Sequence, residues 1–200
     1  MLVLVIVLSA CTADALPPHH KGLEALNMGD YAEALLLLSP LAEDGDPGSQ
    51  AIIGVMHHQG SGVPQDYVEA RRWFRLAAAQ ENSLAQYMLG TIYDGSMILD
   101  RVEPGLRYTF VNSRARALRY YRMAAQQGHP SAQFEFGRAY LSGDGVPQDN
   151  VFAYKWLSLA SQNGVRHADP FLESVTNRMT HAQLTDGQAA LREWKANNGS

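Results

Sequence analysis

The sequence predicts an all-α protein built from antiparallel helix hairpins stacked in a row. Two observations carry this prediction. A block of residues recurs along the chain at steps of 36 and 47, a period that signals a solenoid rather than one globular core. Within each copy, apolar and small residues recur twice at helical spacing, as expected of two short helices that hide one face each.

The alignment fixes the units. Ser49-Gln50-Ala51-Ile52-Ile53-Gly54, Ala85-Gln86-Tyr87-Met88-Leu89-Gly90 and Ala132-Gln133-Phe134-Glu135-Phe136-Gly137 superpose and bring Gly54, Gly90 and Gly137 to one position. Farther along, Ala70, Ala117 and Ala153 correspond, then Trp73, Tyr120 and Trp156, then Ala77, Ala124 and Ala160. Gly45, Glu81, Gly128 and Gly164 share a closing position. The units therefore run over 46–81, 82–128 and 129–164, the middle one enlarged by an insertion between Tyr93 and Ala117. A partial unit over 21–45 precedes them, with Leu35 to Leu38, Leu41 and Ala42 as its second helix, and a tail over 165–200 follows.

In the first full unit, helices are expected over 49–58 and 67–79. The string Gly60-Ser61-Gly62-Val63-Pro64-Gln65-Asp66 joins them and returns as Gly143-Asp144-Gly145-Val146-Pro147-Gln148-Asp149. Its glycines can take the positive φ that turns a chain out of a helix, and its proline prevents continuation. Asp66 and Asp149 are placed to cap the next helix, and Glu69 has the spacing to complete a capping box with Asp66. The enlarged unit lacks this string, and Ser96 to Arg116 stand in its place. Small residues such as Gly54, Ala70 and Ala77 let axes approach, while Tyr67, Trp73 and Phe74 fill wider gaps. Because each hairpin exposes an apolar face until the next covers it, stacking is obligatory.

The combined pattern, A-Q-x-x-(L/F)-G, a tyrosine, G-x-G-V-P-Q-D, then Ala, Trp and Ala-Ala with a closing glycine, resembles the Sel-one-like repeat, a relative of the tetratricopeptide repeat. The resemblance covers 30 to 164, with His57 in a tyrosine slot and Glu81 in a glycine slot. It implies a right-handed α/α-solenoid and a concave wall that receives a protein or peptide. It implies no shared enzyme chemistry and no cofactor. The tail from Arg178 to Trp194 resembles the capping helix that closes such proteins in bacteria, and Thr180 and Gln183 have capping-box spacing.

Composition is compatible with this reading. At 46% hydrophobic residues the 200-residue chain can bury a core, and sixteen Lys and Arg against twenty Asp and Glu give a charge of −4, too little to draw nucleic acid over the whole surface. Met1 to Ala10 form an apolar run broken only by Ser9, about half the ~20 residues of a membrane-spanning helix. It reads as a secretory signal over 1–15, with two exits. Leu8-Ser9-Ala10-Cys11 resembles a lipobox, making Cys11 the lipidation candidate; Ala13-Asp14-Ala15 suits ordinary cleavage. No Lys or Arg precedes the run, a departure from the usual signal that leaves only the N-terminal amine as positive charge; a start inside a longer signal and a short buried strand or helix are the other readings. Export to the periplasm is the expectation, with any membrane attachment through a lipid anchor. Cys11 is the single cysteine, which excludes an internal disulfide and a multi-cysteine zinc site.

The insertion is the most individual feature. Arg101, Arg107, Arg114, Arg116, Arg119 and Arg122 face only Asp100 and Glu103 in sequence between Leu99 and Met123. With Tyr108 and Phe110 as apolar anchors, Arg101, Arg107, Arg114, Arg116 and Arg119 form a candidate edge for an acidic partner, although a charge run is also the ordinary solvated face of a helix. The pairs His19, His20 and His57, His58 have poor geometry for sharing a metal, since helical neighbours point about 100° apart. No metal site is assigned. Ser61, Ser142 and Asp144 occupy turn positions and belong to no nucleophile motif. A non-enzymatic scaffold for a protein partner is therefore the leading expectation; the alternatives are a hydrolase acting on β-lactams or cell wall, and a secreted effector.

Overall fold

The computed structural model describes residues 17–95 and 114–198; Cys11 and the predicted contact residues Arg101, Arg107, Tyr108 and Phe110 lie outside them. Among the described residues there are ten α-helices and no strand. They are α1 (Pro18–Met28), α2 (Tyr31–Glu43), α3 (Pro47–Gln59), α4 (Tyr67–Ala79), α5 (Ser83–Asp94), α6 (Arg114–Gln126), α7 (Pro130–Ser142), α8 (Asn150–Gln162), α9 (Asp169–Thr176) and α10 (His181–Asn198). The first eight pair as hairpins, and each second helix packs on the next first helix: α2 on α3, α4 on α5, α6 on α7. This is the α/α-solenoid expected from the period. The unit read as partial is a full helix pair with a short turn, because Gly29 takes a left-handed φ of 79° and Asp30 immediately caps α2 through the Glu33 amide.

Capping chemistry sets the helix limits. Asp66 accepts from the amides of Val68 at 2.8 Å and Glu69 at 3.0 Å, and Asp149 does the same for Val151 and Phe152 at 2.8 and 3.0 Å. The glutamine beside each aspartate closes the preceding helix, Gln65 donating to the His58 carbonyl and Gln148 to that of Leu141. The capping box expected at Glu69 does not form. The Glu69 carboxylate is held by Arg72 at 2.8 Å, while the Asp66 amide donates to the His57 carbonyl instead. At α10 the reciprocal pair is present: Thr180 N–H donates to Gln183 Oε1, and Gln183 N–H to Thr180 Oγ1.

Close approach at the repeat glycines holds each hairpin together. A Cβ at Gly54 would stand 2.7 Å from the Phe74 ring, at Gly90 2.5 Å from the Tyr121 ring, and at Gly137 2.9 Å from Leu157. Large side chains fill the space around them. Trp73, Tyr121 and Trp156 are buried, Tyr120 stacks on Tyr93 at 5.6 Å, and Trp156 lies edge-on to Phe136 at 5.5 Å. The apolar clusters follow one another along the stack, from Ala25 and Trp73 at one end to Leu157 and Val175 at the other. Helices α9 and α10 both pack on α8, so the tail closes that end with two helices rather than one.

A buried amide joins neighbouring units. Gln50, Gln86 and Gln133 are buried within α3, α5 and α7. Gln50 donates to the Ala42 carbonyl of the preceding α2, and Gln133 to Ala125 of the preceding α6. Each glutamine in turn accepts from the end of its own hairpin: Gln80 to Gln50 at 3.0 Å, Gln127 to Gln86 at 2.8 Å and Asn163 to Gln133 at 2.9 Å.

The closing position has a φ of 100° at Gly45, 62° at Glu81, 87° at Gly128 and 89° at Gly164. Glu81 alone carries a side chain in this left-handed conformation, which costs an L-residue roughly 1–2 kcal/mol. Glu81→Gly is therefore expected to raise unfolding free energy by about 1 kcal/mol, part of the relief being offset by glycine's freedom in the unfolded chain. Gly128→Ala should lower it by a similar amount although nothing lies within 4 Å of the added Cβ. Urea titration of both variants checks this, and equal stabilities would remove the backbone explanation.

Candidate functional site

First helices line one side of the stack, where α3 also touches α5 directly. The repeat steps bring Ile52, Met88 and Glu135 to one position and Val55, Thr91 and Arg138 to the next, and all six are half-buried. Ile52, Val55, Leu84 and Met88 pack on the core yet keep part of their surface open. The row is thus apolar over α3 and α5 and becomes charged at α7, where Arg138 binds Glu135 through two hydrogen bonds of 2.6 and 3.1 Å. Burial lowers the Arg138 pKa, but Glu135, Asp94 and Tyr121 outweigh it and leave it raised. Tyr87, between the apolar and charged parts, is shifted up by burial and then by Glu135.

Of the basic residues predicted around the insertion, the described ones, Arg114, Arg116 and Arg119, have different surroundings. Arg114 is clamped between Asp94 and Asp144, with its side chain only 20% exposed. It ties α6 to the end of α5 and to the turn after α7. Gly145 in that turn lies so close that a Cβ would meet the Arg114 and Leu118 side chains. Arg116 is exposed and hangs over the Tyr93 ring at 5.8 Å. Arg119 is exposed on the outer side of α6, where Arg122 also emerges. Arg119 and Arg122, three residues apart, share one face of α6, while Arg114 is taken up by its two aspartates.

Histidines serve as joints. His19 Nδ1 lies 3.0 Å from Ser49 Oγ and 3.4 Å from Asp46, fastening α1 to α3. Burial raises the Asp46 pKa, but hydrogen bonds from Ser49 and the charge of His19 reverse this and leave it lowered. Among the described residues, no group of three His, Cys, Asp or Glu side chains is arranged to hold a metal ion. No helix among them is long and apolar enough to cross a membrane.

With the stack and its joints in view, comparison with known proteins agrees. A family model described as Sel1 repeat matches residues 47–82, 83–129 and 130–165. The chain belongs to the Sel1 repeat family. Sel1 repeats are in general non-catalytic protein-interaction scaffolds. The chain is 30% identical over 145 residues to the alginate biosynthesis protein AlgK of Azotobacter vinelandii, covering 72% of this chain and 29% of that protein. It is also 30% identical over 147 residues to an exopolysaccharide production negative regulator of Rhizobium leguminosarum, covering 72% and 55%. The crystal structure of a Sel1 repeat protein from Oxalobacter formigenes superposes with a TM-score of 0.64 at 25% identity, covering 77% of this chain and 59% of that one. The chain thus spans from under a third to about half the length of these curated relatives.

The same register exposes a position that sequence reading missed. Asp46, Asn82 and His129 are equivalent and each caps a first helix, His129 by accepting the Ala132 amide at its Nδ1. Burial lowers the His129 pKa, so the folded protein favours the neutral ring that can accept this bond. A depressed histidine contributes stability present above its unfolded pKa of about 6.5 and lost as pH falls toward the folded value. Asn at this position should keep the cap without titrating, so His129→Asn is expected to lose less stability than wild type between pH 7.5 and 5. His58, also lowered by burial, remains in both proteins and cancels. Parallel urea midpoints at the two pH values would contradict the assignment.

Proposed function

We propose that this chain is a non-enzymatic scaffold or adaptor of the bacterial cell envelope that presents its row of first helices to a protein or peptide partner. The observation that carries the reading is the half-buried row itself. Ile52, Val55, Leu84 and Met88 keep apolar surface open along α3 and α5, next to the charged pair Glu135 and Arg138 on α7. Such a row offers apolar anchors with a polar end, the arrangement an extended segment or a partner's helix needs. Export through the 1–15 signal, with Cys11 as the lipid anchor or Ala15 as the cleavage site, is the route to the envelope. The two relatives are named for alginate and exopolysaccharide production, so machinery of that kind is the first place to seek the partner.

A photo-crosslinking residue in place of Met88 is expected to capture a discrete envelope protein, whereas the same residue at Leu36, on the exposed side of α2, should not. Ile52→Lys keeps a long apolar stem while adding charge; it should abolish the crosslink without changing helicity. Identical products from both labelled positions, or a crosslink that survives Ile52→Lys, would defeat the proposal. Processing of the full chain that is unaffected by globomycin would remove Cys11 from it.

A further inference from the structure

The outer side of the stack has a different character from the first-helix row. Second helices α4, α6 and α8 carry eight Lys and Arg against a single Glu, in a chain whose formal charge is −4. The repeat steps bring Arg72, Arg119 and Lys155 to one position and Arg75 and Arg122 to another. Arg72, Arg75, Arg119 and Arg122 are all exposed. Glu69 engages Arg72, but no ion pair among the described residues engages Arg75, Arg119 or Arg122. Along each helix the paired arginines stand about 4.5 Å apart in rise, the scale of one sugar ring.

One turn beyond Arg122, α6 delivers Gln126 to a cleft of about 600 Å³ between the ends of α6, α8 and α10. Gln162, Asn198, Lys195 and Trp194 complete its chemistry. Trp194 is set by its edge-on contact with Trp156 at 6.3 Å, so its orientation is part of the core rather than a free rotor. Gln127 and Asn163 also reach the cleft, their amide nitrogens already donated to the buried glutamines, which leaves their oxygens as acceptors.

We propose that this cleft and the basic outer face of α6 and α4 bind a carboxylated polysaccharide. Side-chain amides pair with adjacent sugar hydroxyls as donor and acceptor at once. An indole face packs the C–H side of a pyranose. Lys195 and the guanidinium groups take carboxylates by charge-assisted hydrogen bonds. A protein partner fits this face less well: the exposed large hydrophobics of α4, α6 and α8 are Val68, Leu76 and Phe152, and none of the three lines the cleft. A nucleic acid attracted through its phosphates would draw on the arginines without needing Gln126 or Gln162, a difference the variants below read out.

Oligouronate binding to the purified full-length chain, followed by calorimetry, tests this site separately from the first-helix row. Binding is expected for the oligouronate, and not for a neutral dextran oligomer of equal length. Arg119→Glu with Arg122→Glu, and separately Gln126→Ala with Gln162→Ala, should each weaken binding at least about tenfold, the scale of one lost charge-assisted bond in the first pair and of two neutral bonds in the second. The second pair lies at exposed helix ends, so helicity should be unchanged, and Ile52→Lys should bind the oligouronate like wild type. No oligouronate binding at low salt would overturn the proposal. So would equal affinity for a short DNA duplex that depends on the arginines but not on the glutamines, since that outcome marks unspecific attraction of polyanions.

Discussion

The structure depends on how a buried amide is satisfied. Gln50, Gln86 and Gln133 sit in the interior of the stack, at 4%, 1% and 0% exposure. A polar group left unpaired there costs about 1–3 kcal/mol. Each accepts from an amide nitrogen at the end of its own hairpin, and Gln50 and Gln133 also donate to a carbonyl of the preceding second helix. Apolar packing between hairpins of alanine and leucine is tolerant of sliding, whereas a hydrogen bond of about 3 Å is not. The amide therefore fixes register where the apolar contacts supply adhesion, and the glycines at 54, 90 and 137 let the helices come close enough for both.

Fixed register explains why two unlike surfaces run along one stack. Once each hairpin repeats its neighbour's orientation, equivalent positions fall into rows, and residue type along a row decides its chemistry. The row through Ile52, Met88 and Glu135 lies on first helices and is largely apolar; the row through Arg72, Arg119 and Lys155 lies on second helices and is cationic. Neither is apparent from a linear charge count. The arginine cluster of 114 to 122 looks like one basic patch in sequence, yet Arg114 is spent on Asp94 and Asp144, Arg116 leans on Tyr93, and Arg119 and Arg122 stand exposed at the repeat positions of Arg72 and Arg75.

Much of the fold was legible because repetition amplifies a weak local signal. A single A-Q-x-x-x-G is unremarkable, but three at consistent offsets locate the helices, the turns and the capping aspartates together. What stayed hidden were features in which chemically different residues do one job. Asp46, Asn82 and His129 share a capping role without sharing a residue type, and Glu81 adopts a glycine conformation without being glycine. Alignment had placed Glu81 beside Gly45, Gly128 and Gly164; its positive φ could have been anticipated from that alone. The Glu69 capping box is absent for reasons spacing does not contain, since Arg72 holds the Glu69 carboxylate and the His57 carbonyl takes the Asp66 amide.

The ends of the stack complete the physical argument. An internal hairpin has two neighbours, so a terminal one must cover an apolar face by other means. At the C-terminal end α9 stands where the next first helix would, placing Phe171 edge-on to Phe134 at 5.3 Å, and α10 then crosses α8 so that Leu191 and Trp194 seal the cluster around Trp156. A helix that only sealed the core would have no need of the cleft that α10 leaves beside α6. Because Trp194 is anchored inward by Trp156 while lining that cleft, the residue that closes the solenoid is also the one that shapes its outer pocket. Capping and recognition therefore draw on the same side chain, and the pocket inherits its rigidity from the core beneath it.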